Sequence, residues 1–207
     1  MFRCISSLIY EISNNLKTYK LKKFSDKVFI FIEKILLNFP IFHKFYLDIY
    51  DNMTDNEINL ANISKDNIVL HIGCGSLPAT CILLSKKIGA HIIGLDHDLK
   101  SVKQAKLCIS KYNLDDKIQI EFSDAKDFAV EKFDVILLSQ GIKPQNEILN
   151  HIANSIKNNT KVVFRSTYDK KNKLSENDMF LKDIFIVEKI VHHKENGPLI
   201  SILLSKK

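Results

Sequence analysis

The stretch Asn67-Ile-Val-Leu-His-Ile-Gly-Cys-Gly-Ser-Leu-Pro-Ala-Thr80 limits what this chain can become more than any other. A run of β-formers passes into a turn holding Gly73 and Gly75, and the turn leads directly into a helical pattern. A second β run, His91-Ile-Ile-Gly-Leu-Asp96, ends on an acid 21 residues after Gly75. Glycines let backbone approach a ligand closely, and an acid closing the next strand can accept hydrogen bonds from a ribose. The pairing implies a nucleoside-containing ligand without saying which one.

Beyond Asn67 the chain alternates strand and helix patterns. Strands are predicted at 67–72, 91–95, 117–122, 133–139, 161–166, 183–192 and 199–205, with helices at 78–88, 98–112, 145–158 and 174–181. Such alternation predicts a parallel sheet covered by helices on both faces. The last two strands are joined by Glu195-Asn-Gly-Pro198, an Asn-Gly hairpin signal, so the sheet should finish with an antiparallel hairpin.

Before residue 66 the pattern is helical. Ile5, Leu8, Ile9 and Ile12 form one stripe, and Ser25-Asp26 can cap a second helix that Phe39-Pro40 would end. That second helix is apolar almost all round, from Val28 to Leu37, so it must be buried between other helices or at a contact between copies of the chain. A short helix is predicted over Ile41 to Tyr50. Thr54 with Glu57 reads as a capping box opening another near Ile58 to Ile63. The chain thus divides into a helical cap, residues 1–64, and an α/β unit, residues 65–207.

The net charge of +6 is concentrated at one end. Residues 1–47 carry eight basic side chains against three acidic ones, five of the six net charges. Such asymmetry marks either a nucleic-acid or membrane contact or simply a solvated helix face. Val28 to Phe42 is too short and too interrupted to span a bilayer, and the first residues lack a secretory pattern. Cys4, Cys74, Cys81 and Cys108 show neither metal-ligand spacing nor a disulfide framework, so a cytoplasmic protein with reduced thiols and no metal is expected. His192 and His193 are adjacent in a strand and should point to opposite faces, which argues against a metal site there.

Phosphate-loop chemistry needs Gly-Lys-Ser/Thr at the helix start, and Gly75 is followed by Ser76-Leu77-Pro78. A dinucleotide loop has a third glycine for tight helix packing, and Pro78 stands there. Proline suits a helix start, so the helix survives while that fingerprint is broken. The two glycines and the acid alone leave NAD and other nucleosides open.

Taken with later segments, the chain resembles the class I S-adenosylmethionine-dependent methyltransferases over about residues 62–207. Four segments match in order: His71-Ile-Gly-Cys-Gly, Ile93-Gly-Leu-Asp96, Phe122-Ser-Asp-Ala125 and Phe133-Asp-Val-Ile-Leu-Leu-Ser139. The resemblance implies a Rossmann-like, doubly wound, seven-stranded α/β sheet, mostly parallel with a C-terminal antiparallel hairpin, and S-adenosyl-L-methionine as cofactor. It further implies that Gly73, Cys74 and Gly75 carry the methionine end. Asp96, followed by His97, would take the ribose, and Asp124 and Ala125 the adenine. Ser139 and Gln140 would face the sulfonium and the acceptor. Many family members hold the cofactor's amino group with an acid two residues before the first glycine. His71 stands there, as a neutral acceptor or as a strand-end histidine bonded to backbone.

A narrower resemblance, to the nicotianamine synthase branch of this fold, rests on Gly73-x-Gly-x-Leu-Pro-x-Thr80, Val135 to Ile142, and Phe164-Arg-Ser166. That branch has a helical N-terminal cap and implies transfer of an aminocarboxypropyl group instead of a methyl. Methyl transfer to a small-molecule acceptor is the first expectation and aminocarboxypropyl transfer the second. A non-catalytic cofactor-binding module that self-associates as a homodimer through its apolar N-terminal helix is the third. Acceptor-side candidates lie in Tyr50 to Glu57. Tyr50 either orients an acceptor or packs its ring, and Glu57 either serves as base or amine ligand or closes the capping box. Arg165 either holds a substrate carboxylate or pairs with a local acid. The Asn/Asp-Pro-Pro-Tyr/Phe motif for methylating exocyclic amines is replaced by Ser139-Gln-Gly-Ile142, and there is no Pro-Cys nucleophile, both of which disfavour nucleic acid.

Overall fold

The computed structural model describes residues 40–168, 180–193 and 199–207. The expected helices before residue 40, the helix start at 174–179 and the Asn-Gly turn all lie outside the described residues. So do the proposed dimer helix and most of the basic cluster.

The described chain runs α1 (Pro40–Ala61), β1 (Ile68–Ile72), α2 (Ala79–Ile88), β2 (His91–Asp96), α3 (Leu99–Lys111), β3 (Ile118–Phe122), β4 (Val135–Leu138), α4 (Gln145–Ser155), β5 (Lys161–Thr167), α5 (Leu181–Ile184), β6 (Phe185–His192) and β7 (Leu199–Lys206). The seven strands form one sheet in the order β3-β2-β1-β4-β5-β7-β6. Strands β1 to β5 pair in parallel, and β7 runs antiparallel to both β5 and β6. The doubly wound sheet and the reversed final strand are both as the sequence implies.

The two-residue period of the strands sorts side chains onto two cores. Val69, Ile92, Ile120, Val135, Leu137, Val163 and Leu203 pack in one cluster with residues of α1, α2 and α3. Leu70, Ile72, Leu95, Ile136, Leu138, Val162 and Phe164 pack in the other with α4, Phe133 and Leu181. On the first face the odd-numbered positions of β1, β5 and β7 carry on to polar groups, His71, Arg165 and Ser201, and the position just beyond β4 is Ser139. These strand positions set the site.

One expectation is corrected. Residues 41–63 do not form two helices split by a capping box. Helix α1 is continuous for 22 residues from Pro40 to Ala61. Thr54 sits inside it and its hydroxyl donates back to the Tyr50 carbonyl at 2.8 Å, four residues earlier, instead of capping a new start. Met53, Thr54, Glu57, Leu60 and Ala61 are all buried, which is the spacing of one helical face. The acids that look like a break are bound laterally: Asp51 and Asp55 both reach Lys87 of α2, at 2.9 and 2.8 Å. The helix stops where Asn62 adopts a left-handed conformation and the Ile63 N–H reaches back to the Ile58 carbonyl at 2.9 Å.

Pro78 does start a helix, its carbonyl accepting from the Ile82 N–H at 3.0 Å. Gly94 of β2 serves packing. A Cβ placed there would stand 2.7 Å from Ile120 Cδ1 and 3.3 Å from Cys74 Cβ, so glycine makes the room in which the Gly73–Gly75 turn lies on the sheet. Gly94→Ala should therefore destabilise the fold by about 1–3 kcal/mol, measured by denaturant unfolding. Adding Ile120→Val, which removes the nearer clashing atom, should recover part of that loss.

Candidate active site

The turn after β1 is held from below by backbone. The N–H groups of Gly73 and Cys74 both donate to the Leu95 carbonyl, at 2.8 and 3.1 Å. Gly73 and Gly75 have φ of 77° and 69°, a left-handed conformation that favours glycine. A Cβ on Gly73 would lie 3.2 Å from both Ser139 Cβ and Ile142 Cγ2, so the missing side chain leaves open space at the end of β4. Asp96 locks the other side: Oδ2 accepts from the Gly75 N–H at 2.8 Å and Oδ1 from the Asp98 N–H at 2.9 Å. Each oxygen of a carboxylate retains acceptor capacity after one such bond.

Above this turn, helix α1 closes a cavity of about 260 Å³. Its wall brings together Tyr50, His71, Gly73, Cys74, Gly75, Ser139 and Gln140 of the residues singled out from sequence. It also holds Arg165, another candidate named from sequence, together with Tyr46, Met53, Thr80 and Leu199. Asp96, His97, Asp124 and Ala125 are not part of that wall; they follow the carboxyl ends of β2 and β3, on the other side of the glycine turn. His97 is exposed, with Nδ1 3.7 Å from Asp96 Oδ1. Asp124 Oδ1 accepts from the Lys126 N–H at 3.0 Å, and this bond, helped by the Lys126 charge, holds its carboxyl below the usual range. The sequence-predicted residues thus form two groups flanking one turn.

Glu57 is not at the cavity wall. It is fully buried behind it, where Arg165 clamps it through two parallel bonds, Nε to Oε1 and Nη2 to Oε2, both 2.7 Å. Neither the capping-box nor the free-base reading of Glu57 fits this geometry. Arg165 Nη2 also donates to Thr80 Oγ1 at 2.9 Å, and the Arg165 guanidinium lies 5.8 Å from the Tyr50 ring centre. Burial works against the Arg165 charge, yet the attraction of Glu57 offsets it and raises the pKa overall. Tyr50 does pack its ring, 5.0 Å from that of Tyr46, while still facing the cavity.

The pair extends into β7. Ser201, directly across from Arg165 in the sheet, donates to Glu57 Oε1 at 2.6 Å. Its only hydroxyl proton is thereby used, so it accepts from His193 Nε2 at 2.8 Å, and His193 Nδ1 accepts from the Asn56 amide at 3.3 Å. This fixes a neutral His193, and burial lowers its pKa. His192 turns to the other side and packs edge-on against Tyr168, so the two histidines do point apart. His71 bonds side chains instead of backbone: Nε2 lies 2.9 Å from Ser139 Oγ and Nδ1 3.4 Å from Cys81 Sγ. Burial, then the Arg165 charge, holds His71 well below its ordinary pKa. In sequence Cys81 reads only as a reduced thiol, His193 only as one of two adjacent histidines and Thr80 only as part of the Leu-Pro-x-Thr turn, and Ser201 carries no signal.

This is the fold of the class I S-adenosylmethionine-dependent methyltransferases. A structure described as a putative S-adenosyl-L-methionine-dependent methyltransferase from Methanococcus maripaludis superposes with a TM-score of 0.65 at 20% identity, over 89% of this chain and 93% of that one. Within that class the chain belongs to the nicotianamine synthase protein family, which matches residues 9–207. A crystal structure of a mutant of MtNAS agrees, with a TM-score of 0.74 at 20% identity over 97% of this chain and 75% of that chain. Among curated proteins, the L-histidine 2-aminobutanoyltransferase of Yersinia pestis is 25% identical over 120 residues, 58% of this chain. That match spans 45% of the relative's own length.

Removing one partner of a clamped buried pair leaves the other charge uncompensated. Glu57→Ala should cost about 3–5 kcal/mol in unfolding free energy, and Glu57→Gln combined with Arg165→Met markedly less. The two buried neutral histidines also set a pH dependence. The unfolded chain takes up protons below about pH 6.5 that the folded chain refuses, so stability holds above that value and falls as pH drops below it. The thermal midpoint should decline between about pH 7 and about pH 5, and His193→Gln should flatten that slope.

Proposed function

We propose that this protein is an S-adenosylmethionine-dependent transferase that moves the aminocarboxypropyl group to an amine of a small-molecule acceptor. The observation that carries the reading is the cavity formed between α1 and the glycine turn. The fold leaves the carboxyl ends of the strands open, whereas here a helix preceding β1 covers the side next to β4 and β5. Membership of the nicotianamine synthase family supports it, as do relatives named for aminobutanoyl transfer to L-histidine. An MtNAS structure in complex with S-adenosylmethionine supports the cofactor, with a TM-score of 0.68. The residues fit that group: the Gly73 position is open where a Cβ would crowd Ser139, and an acid ends β2.

Bound there, the cofactor supplies a sulfonium whose attached carbons are open to displacement by a nucleophile. The Gly73–Gly75 backbone carries its arm, and Asp96 accepts from the ribose with the lone pairs left after it fixes the turn. Asp124 and the Ala125 N–H address the adenine at the end of β3, and His97 flanks the ribose. Tyr50 and Gln140 border the acceptor. Glu57 acts through Arg165 as a positioning residue, keeping a cation in the wall without leaving the cavity a full net charge. Helix α1 covers one side of the cavity and so limits the approaches open to an acceptor.

Methyl transfer is the second reading, supported by the methyltransferase neighbours of the same fold. Product analysis separates them. Incubation with S-adenosylmethionine and candidate amino acids should release methylthioadenosine; S-adenosylhomocysteine would replace this reading with methyl transfer. Binding without either product would mark a non-catalytic module, and calorimetry showing NAD but no S-adenosylmethionine binding would overturn both enzyme readings. Asp96→Ala should weaken S-adenosylmethionine binding by roughly 1.5–3 kcal/mol; unchanged affinity would show that the ribose lies elsewhere.

A further inference from the structure

Three residues on the α2-facing side of the sheet make a chain of contacts that ends in the cavity. Cys81, on α2, is fully buried and reaches His71 Nδ1; His71, on β1, reaches Ser139 Oγ just beyond β4. Ser139 is half-buried and shares the cavity wall with His71. Counting protons along this chain gives it a direction. Burial pushes the Cys81 thiol up to about 12, so it keeps its proton. An imidazole nitrogen is a better acceptor for that proton than sulfur is for an N–H. With Nδ1 accepting, the neutral ring carries its hydrogen on Nε2 and donates it to Ser139 Oγ. The Ser139 hydroxyl hydrogen then has to point away from His71.

The reverse order, with Ser139 donating to Nε2 and Nδ1–H pointing at sulfur, would leave the thiol hydrogen buried without an acceptor. The placement of charged groups around the cavity agrees with the first order. Among the described wall residues Arg165 is the one fixed charge, and no carboxylate lines the cavity. Glu57 behind the wall leaves the cavity little net charge, so the Arg165 guanidinium favours the anionic end of a ligand by its position.

We propose that Cys81, His71 and Ser139 form a directional hydrogen-bond relay that presents the Ser139 hydroxyl as a donor to the carboxylate of the cofactor's aminocarboxypropyl arm. The assignment rests on the S-adenosylmethionine reading above. It reverses the usual polarity of this strand end, where an acid receives the ligand's amino group. His71 is a positioning residue: it fixes which way Ser139 points.

Two measurements test this. Long-range nitrogen–proton NMR on the unliganded protein, with His71 assigned by its loss in His71→Gln, should show the hydrogen on Nε2 and a bare Nδ1. A hydrogen on Nδ1 overturns the relay. Calorimetry should then show Ser139→Ala weakening S-adenosylmethionine roughly 10- to 100-fold, the scale of a hydrogen bond to a charged group. Methylthioadenosine, which lacks the arm, should bind both forms within about twofold. Equal losses for the two ligands, or none for either, overturn the carboxylate role. If the unmodified protein bound neither ligand, the cofactor reading would fail and the carboxylate role with it. The ring hydrogen would still uphold or overturn the relay on its own.

Discussion

The clamp between Glu57 and Arg165 is the contact on which the rest of the site depends. Glu57 projects from α1, Arg165 from β5, Thr80 from α2 and Ser201 from β7, so four elements meet within one set of charge-assisted bonds. Apolar packing would hold α1 against the sheet in many nearly equivalent positions. A two-bond guanidinium–carboxylate fork allows few. Such a pair adds little stability over apolar side chains of similar size, because both charges are desolvated. Its effect here is to fix where α1 lies, and therefore where Tyr50 and Met53 meet the cavity.

The clamp also explains why the polar groups on this face are compatible with a folded core. Every described partner is satisfied in a way that leaves little net charge: the carboxylate accepts from Arg165 and Ser201, and Ser201 in turn is bonded by a neutral His193. Burial makes half-satisfied networks expensive, so these residues are held to one arrangement. On the cavity side the same economy leaves Arg165 as a fixed cation next to Thr80 and Tyr50. A wall built this way distinguishes an anionic from a cationic ligand end by position rather than by net charge.

Much of the α/β unit was legible because two local periods differ so clearly. The strand bounds expected from Asn67 onward agree with the observed ones within about two residues, and so do the helices from Pro78 and Asp98. Helix α1 was not legible in the same way. Asp51, Asn52, Thr54, Asp55 and Asn56 resemble a break in sequence, and Lys87 and His193, the lateral partners of Asp51, Asp55 and Asn56, are 32 or more residues away. Glu57 was noticed but misread for the same reason: a local capping partner is visible in sequence, and an arginine 108 residues later is not. The glycine-turn residues could be grouped from spacing alone. That the turn divides them into a cavity side and an open side depends on α1, and so could not be.

The glycine turn itself is shaped from two directions. Below it, Leu95 and Asp96 hold the backbone of Gly73, Cys74 and Gly75. Beside it, Gly94 and Gly73 remove the side chains that would otherwise push the turn away from β2 and β4. Leu77 and Ala79 line the cavity next to the turn, with Pro78 between them beginning α2. A third glycine in this loop would allow closer helix packing. With Pro78 in its place, α2 instead brings Thr80 to Arg165 and Cys81 to His71. The polar groups beneath the cavity thus come from two successive residues of α2, Thr80 serving the clamp and Cys81 the histidine.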